Sequence, residues 1–235
     1  MHLIRRKAWL AILALTLGGK LYAGTIYDNS VNDLSTRFNP GSLEVGDEII
    51  LSVTDPSRYL QTFSFEYYGT NTAGASFSGS VTAQVRLYLN DGTPFNGYPT
   101  PGTVLYDSTP FAITTTPLGR ATLNFTAGTD FPVGGLFLGP GPGGTLLTNM
   151  TFSVQFSGMG PTDEAGLDLY SPPVVGGNYP DYWENNGGWM LQTNVVPISF
   201  AAKMEATPEP SPIALSILGG LGLLLARRWL WRKTA

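Results

Sequence analysis

The residues best suited to chemistry in this chain lie in one run, Tyr179-Pro180-Asp181-Tyr182-Trp183-Glu184-Asn185-Asn186-Gly187-Gly188-Trp189. It brings together aromatic rings, two carboxylates and two carboxamides. Flat aromatic faces beside hydrogen-bonding groups match the apolar and polar faces of a sugar ring. Tyr182, Trp183 and Trp189 are therefore the candidate glycan contacts, on a loop. The competing expectation is that Trp183 and Trp189 plug one end of a core while Asn186-Gly187-Gly188 forms a turn. A second group is Asp163-Glu164 with Asp168, whose oxygens are close enough in sequence to hold calcium. No complete calcium-loop pattern surrounds them, so solvated acidic residues are the expectation and no metal site is assigned. Glycoside hydrolysis needs two carboxylates about 5–9 Å apart. Nothing in the spacing of the acidic residues marks such a pair, and a choice such as Glu66 with Glu184 would be arbitrary. No catalytic residue and no cofactor are expected.

Several chemistries are closed by composition. The chain has no cysteine, and its one histidine is His2. From residue 3 onward there is neither imidazole nor thiol. The absence of cysteine excludes Cys-His triads, Cys-ligated zinc and disulfides. In a body from which an expected signal peptide carrying His2 has been removed, Ser-His-Asp triads and His-ligated zinc are excluded as well.

The elements that must position these residues read as strands. Val81, Ala83, Val85, Leu87 and Leu89 alternate with polar residues or Tyr88 over nine positions, the pattern of a half-buried strand. Phe63, Phe65 and Tyr67, Ala121, Leu123 and Phe125, and Phe152, Val154 and Phe156 repeat it. Weaker candidates are 48–54, 103–107, 166–170, 190–193 and 198–204. Asn90-Asp91-Gly92-Thr93-Pro94 stops the strongest strand, and Gly139–Gly144 reads as an exposed loop. No stretch of the body shows a convincing helical period, and there is no internal repeat. Short strands with Gly- and Pro-rich turns predict an all-β, antiparallel sandwich of jelly-roll type over residues 24–205.

Both ends differ from this body. Met1–Lys7 carries Arg5, Arg6 and Lys7, Ala8–Leu17 is apolar, and Leu21-Tyr22-Ala23 ends in a small residue. The order predicts a secretory signal peptide over residues 1–23. The residues around Arg5-Arg6 do not support a twin-arginine signal, so the general secretory route is expected. At the other end, Pro208-Glu209-Pro210 precedes an apolar run from Ile213 to Ala226, then Arg227, Arg228, Arg232 and Lys233. The 14-residue run makes a helix of about 21 Å. Trp229–Trp231 extends it toward a span over about 213–231, with the cationic end cytoplasmic as a stop-transfer signal.

Residues 208–235 resemble the PEP-CTERM sorting signal of bacterial exported proteins, in which this motif, an apolar helix and an arginine cluster follow one another. The resemblance implies a sorting tail over 206–235, transient anchoring in the inner membrane, recognition by an exosortase-type transpeptidase and transfer to the cell surface or beyond.

The ends also hide the charge of the body. Of 13 basic residues, four lie in each end. Arg37, Arg58, Arg86, Arg120 and Lys203 then face 16 of the 17 acidic residues, Glu209 lying in the tail, a formal charge of −11. Such a surface repels nucleic acid and anionic lipid. The expected function is a non-catalytic surface or matrix protein that binds extracellular polysaccharide. The alternative is a carboxylate-dependent glycan hydrolase or lyase.

Overall fold

A computed structural model of the chain describes residues 23–141, 144–193 and 198–208. All but Pro208 belong to one unit, Ala23–Thr207. The expected signal peptide up to Tyr22, together with Glu209, Pro210, the apolar segment and the cationic end, lies outside the described residues. Among those described, no helix is long and apolar enough to cross a membrane.

The unit is all-β and its strands pair antiparallel. In chain order they are β1 (Gly24–Asn29), β2 (Asp33–Phe38), β3 (Glu44–Ile50), β4 (Tyr59–Asn71), β5 (Thr82–Tyr88), β6 (Val104–Asp107), β7 (Phe111–Ala112), β8 (Ala121–Thr126), β9 (Leu136–Phe137), β10 (Asn149–Ser157), β11 (Asp163–Tyr170), β12 (Gly177–Asn185), β13 (Trp189–Gln192) and β14 (Ala202–Thr207). One sheet runs β1-β14-β4-β11-β2, with β8 and β9 also paired to β4. The other runs β13-β12-β3-β10-β5-β6, with β7 also paired to β5.

Period-two patterning explains how the sheets meet. Phe63, Phe65 and Tyr67 of β4 face inward from the first sheet, and Phe152, Val154 and Phe156 of β10 from the second; all are buried. The Phe63 and Phe152 rings lie 5.5 Å apart across the gap, and Tyr106 meets Phe125 edge-on at 6.0 Å. Ala83, Val85 and Leu87 of β5 extend the same core, and Leu123 of β8 packs partly buried against it.

Several elements differ from the sequence expectation. β3 begins at Glu44 rather than Glu48 and ends at Ile50. β14 continues to Thr207, and Ala206 is fully buried between its partners on β1 and β4. The body therefore extends past residue 205, and Ala206 and Thr207 belong to it and not to the expected tail. β2 carries no alternation because it is an edge strand exposed along almost its whole length. The aromatic run expected as a loop is mostly β12. It is closed to β13 by the turn Asn186-Gly187-Gly188, in which Gly187 takes φ +78°, a conformation that glycine adopts without steric cost.

Candidate functional site

β3 is the strand on which the site is built. It lies between β12 and β10, and its alternation sorts side chains to two faces. Val45, Asp47 and Ile49 point into the core; Glu44, Gly46 and Glu48 point to the outer face of the second sheet. Gly46 pairs with Trp183 on one side and Ser153 on the other. A side chain at Gly46 would come within 2.7 Å of Thr151, so the position admits only glycine without movement.

The two outward carboxylates have different fates. Glu44 is saturated: Oε1 accepts from Tyr88 (2.9 Å) and Ser153 (2.6 Å) and pairs with Arg86 (2.9 Å), while Oε2 accepts from Asn185 (3.2 Å). Burial, then the charge of Glu44, pushes the Tyr88 phenol well up from its ordinary range. Trp189 is half-buried and rests edge-on against Tyr88 at 5.6 Å. This cluster fixes the face rigidly and leaves Glu44 no capacity for substrate.

Glu48 is less satisfied. Among the described residues only Asn149 donates to it at full bonding distance, 2.8 Å to Oε1. Burial raises its carboxyl above the ordinary range, and donors on Asn149, Trp183 and Asn90 partly offset the rise. The Trp183 indole N–H and the Asn90 amide nitrogen are buried and meet no partner within hydrogen-bond distance. They face Glu48 from further away and temper its rise without satisfying it. Glu48 forms one wall of a pocket of about 190 Å³, completed by Tyr98, Pro99, Asn149, Tyr179, Asp181 and Leu191.

Two local devices bring the tyrosines there. Along β12 the register jumps: Asn178 pairs with Ile49 and Tyr182 with Asp47, so three residues stand opposite Glu48 alone. The excess bulges outward and carries Tyr179 and Asp181 to the pocket. Pro180, within the bulge, has no N–H to pair. Tyr98 closes a two-residue reversal in the β5–β6 loop. Phe95 and Tyr98 exchange backbone hydrogen bonds at 2.9 and 3.0 Å around Asn96 and Gly97, whose φ values are +52° and +89°. That is the type I′ geometry favoured by Asn-Gly. Asp91 ties the loop down, accepting from the Thr103 backbone N–H (2.6 Å) and hydroxyl (2.7 Å). The backbone bond, then the hydroxyl bond, holds its carboxyl below the usual range.

The glycan contacts expected from sequence are corrected in two of three positions. Tyr182 faces inward and touches Phe38 at 4.9 Å, and Trp183 is fully buried. Neither ring has a face free for a sugar. Tyr98 and Tyr179 are 58% and 43% exposed and supply the accessible rings instead. The Asn96-Gly97 pair signals a hairpin and was the one local clue to Tyr98.

The remaining acidic residues have structural partners. Asp163 accepts backbone N–H groups from Ser78, Gly79 and Gly160 at 2.7–2.8 Å. Burial raises its carboxyl, and these three bonds outweigh it to bring the net shift downward. Asp168 pairs with Arg37 at 3.5 Å on the first sheet. Glu164 is exposed, and among the described residues no three carboxylates or other ligating side chains converge for a metal. Glu66 pairs with Arg120 on β4, whereas Glu184 sits on β12 of the other sheet.

Comparisons with protein-family models, with curated proteins and with solved structures gave no match.

Proposed function

We propose that this chain is an exported, non-catalytic protein of the bacterial surface or matrix, and that its body holds polysaccharide in the Tyr98–Tyr179 pocket. One observation carries the reading: two exposed tyrosine rings stand beside Glu48, Asn149 and Asp181 in a pocket smaller than those that take drug-sized ligands. Rings pack against the C–H face of a sugar, and the polar groups take its hydroxyls. The body is read as a jelly-roll-type sandwich. Its route is the one the two termini imply: removal of residues 1–23, transient anchoring by the apolar tail helix, and processing at Pro208-Glu209-Pro210 by an exosortase-type transpeptidase.

A glycan-array screen together with a reducing-sugar assay on the same polysaccharides tests this. Binding that drops in Tyr98→Ala and Tyr179→Ala, with no sugar released, is the expected result. Release of reducing ends by wild type would replace the reading with a glycan hydrolase.

A further inference from the structure

The charge around the pocket is one-sided. Glu48 and Asp181 both line it, and no basic residue does. The five cations of the body are all engaged elsewhere. Arg37 pairs with Asp168, Arg86 with Glu44 and Asp107, Arg120 with Asp33 and Glu66, and Lys203 with Glu205. Arg58 is buried and spends its guanidinium on the carbonyls of Leu147, Ser57, Asp55 and Ser52. The Asp181 carboxylate has no hydrogen bond or ion pair among the described residues, and Glu48 is bonded only through Oε1. The pocket thus has two under-coordinated carboxylates and two aromatic walls.

We propose that the pocket takes a protonated primary amine, carried by an amino sugar of an extracellular polysaccharide whose amino groups are free. This rests on the polysaccharide reading above and names its substrate class. An ammonium supplies the positive charge the pocket lacks, and its N–H groups can be shared between Glu48 and Asp181. The electron-rich faces of Tyr98 and Tyr179 attract a cation as well as a sugar ring. A quaternary ammonium would use the rings but bring no N–H to the carboxylates. A uronic acid would set its charge against both of them.

Calorimetric titration of the full chain in mild detergent decides the question. The probes are hexamers of glucosamine, N-acetylglucosamine, glucose and glucuronic acid, with choline and a pentalysine peptide as further arms. The glucosamine hexamer should bind about tenfold or more tightly than its acetylated form, because charge-assisted hydrogen bonds are the stronger kind. Glu48→Gln and Asp181→Asn should each cost about tenfold in that affinity and weaken the acetylated probe less, so that the preference for the free amine collapses. Asp181→Asn, on a side chain with no structural bond, keeps the test decisive if Glu48→Gln does not fold. Equal affinity for the free and acetylated hexamers, or preference for glucuronate, overturns the amine and leaves polysaccharide binding standing. Tighter binding of choline or of pentalysine overturns the amino sugar as the occupant. Binding of no glycan at all removes both this inference and the function on which it rests.

Discussion

Asp47 lies wholly buried between the sheets, where its Oδ2 accepts from the Phe200 N–H (2.8 Å) and the Ser199 hydroxyl (3.1 Å). Its Oδ1 has no partner, and neither do Tyr27 Oη or Asn29 Oδ1, two buried groups of the same polar cluster. Among the described residues no base pairs with Asp47, and burial pushes its carboxyl well above the ordinary range. The sign of the pH effect follows. Above the unfolded value of about 4 the unfolded chain releases this proton while the folded chain keeps it, so stability falls as pH rises, by at most about 1.4 kcal/mol per unit for one such group. Glu48 shifts in the same direction and adds to the slope. Urea midpoints measured from pH 4 to pH 8 should decline in wild type and decline less in Asp47→Asn. Equal slopes in the two proteins would show that Asp47 is ionised in the fold.

The β5–β6 loop and the β12 bulge are where local structure becomes a binding surface. Asp91→Ala removes two hydrogen bonds from an exposed loop, worth about 0.5–1.5 kcal/mol each, and none from the core. The expected outcome is weaker glycan binding with far-UV circular dichroism nearly unchanged and a thermal midpoint lowered by about 2–4 °C for each kcal/mol lost. Unaltered affinity would mean that Tyr98 is not a wall of the site. Phe152→Ala acts on the opposite face of the same sheet. Its ring is fully buried and meets Phe63 and Phe200 at 5.5 and 6.3 Å, so the substitution should cost about 3–5 kcal/mol in urea unfolding. A cost below about 1 kcal/mol, near that of a surface change, would contradict the packing of β10 against β4.

For the whole molecule, location is the testable matter. Two prolines around Glu209 fix φ on both sides and remove two donors, which favours an extended segment unable to join a sheet. If this is a processing site, Glu209→Ala should leave the protein in the inner membrane with its tail attached. Immunoblots of membrane and surface fractions, with a tag placed before Ala202, read the difference, and identical fractionation of mutant and wild type would leave a simple single-span protein. Mass spectrometry of the extracellular protein should find an N-terminus near Gly24; an intact Met1 on cytoplasmic protein would contradict export.

Sequence by itself determined the strands that alternate strongly and which of their faces is apolar, because side-chain alternation is a local property. It did not mark β2, which is exposed along almost its whole length, or β12, whose aromatic run reads as a loop. Val81–Leu89, Phe63–Tyr67 and Phe152–Phe156 all keep in the structure the inward faces their spacing predicts. Composition alone also closed thiol chemistry and left His2 as the one imidazole of the chain. Local alternation could not say what covers an outward face. Trp183 points away from the core yet is fully buried, and Tyr182 spends its ring on Phe38 and Phe200. The site needed long-range pairing: Glu48, Tyr98 and Tyr179 come from β3, a turn beyond β5 and a bulge in β12. Their meeting depends on β12 slipping register against β3, and that register is set by contacts between strands far apart in the chain, which only the tertiary structure decides.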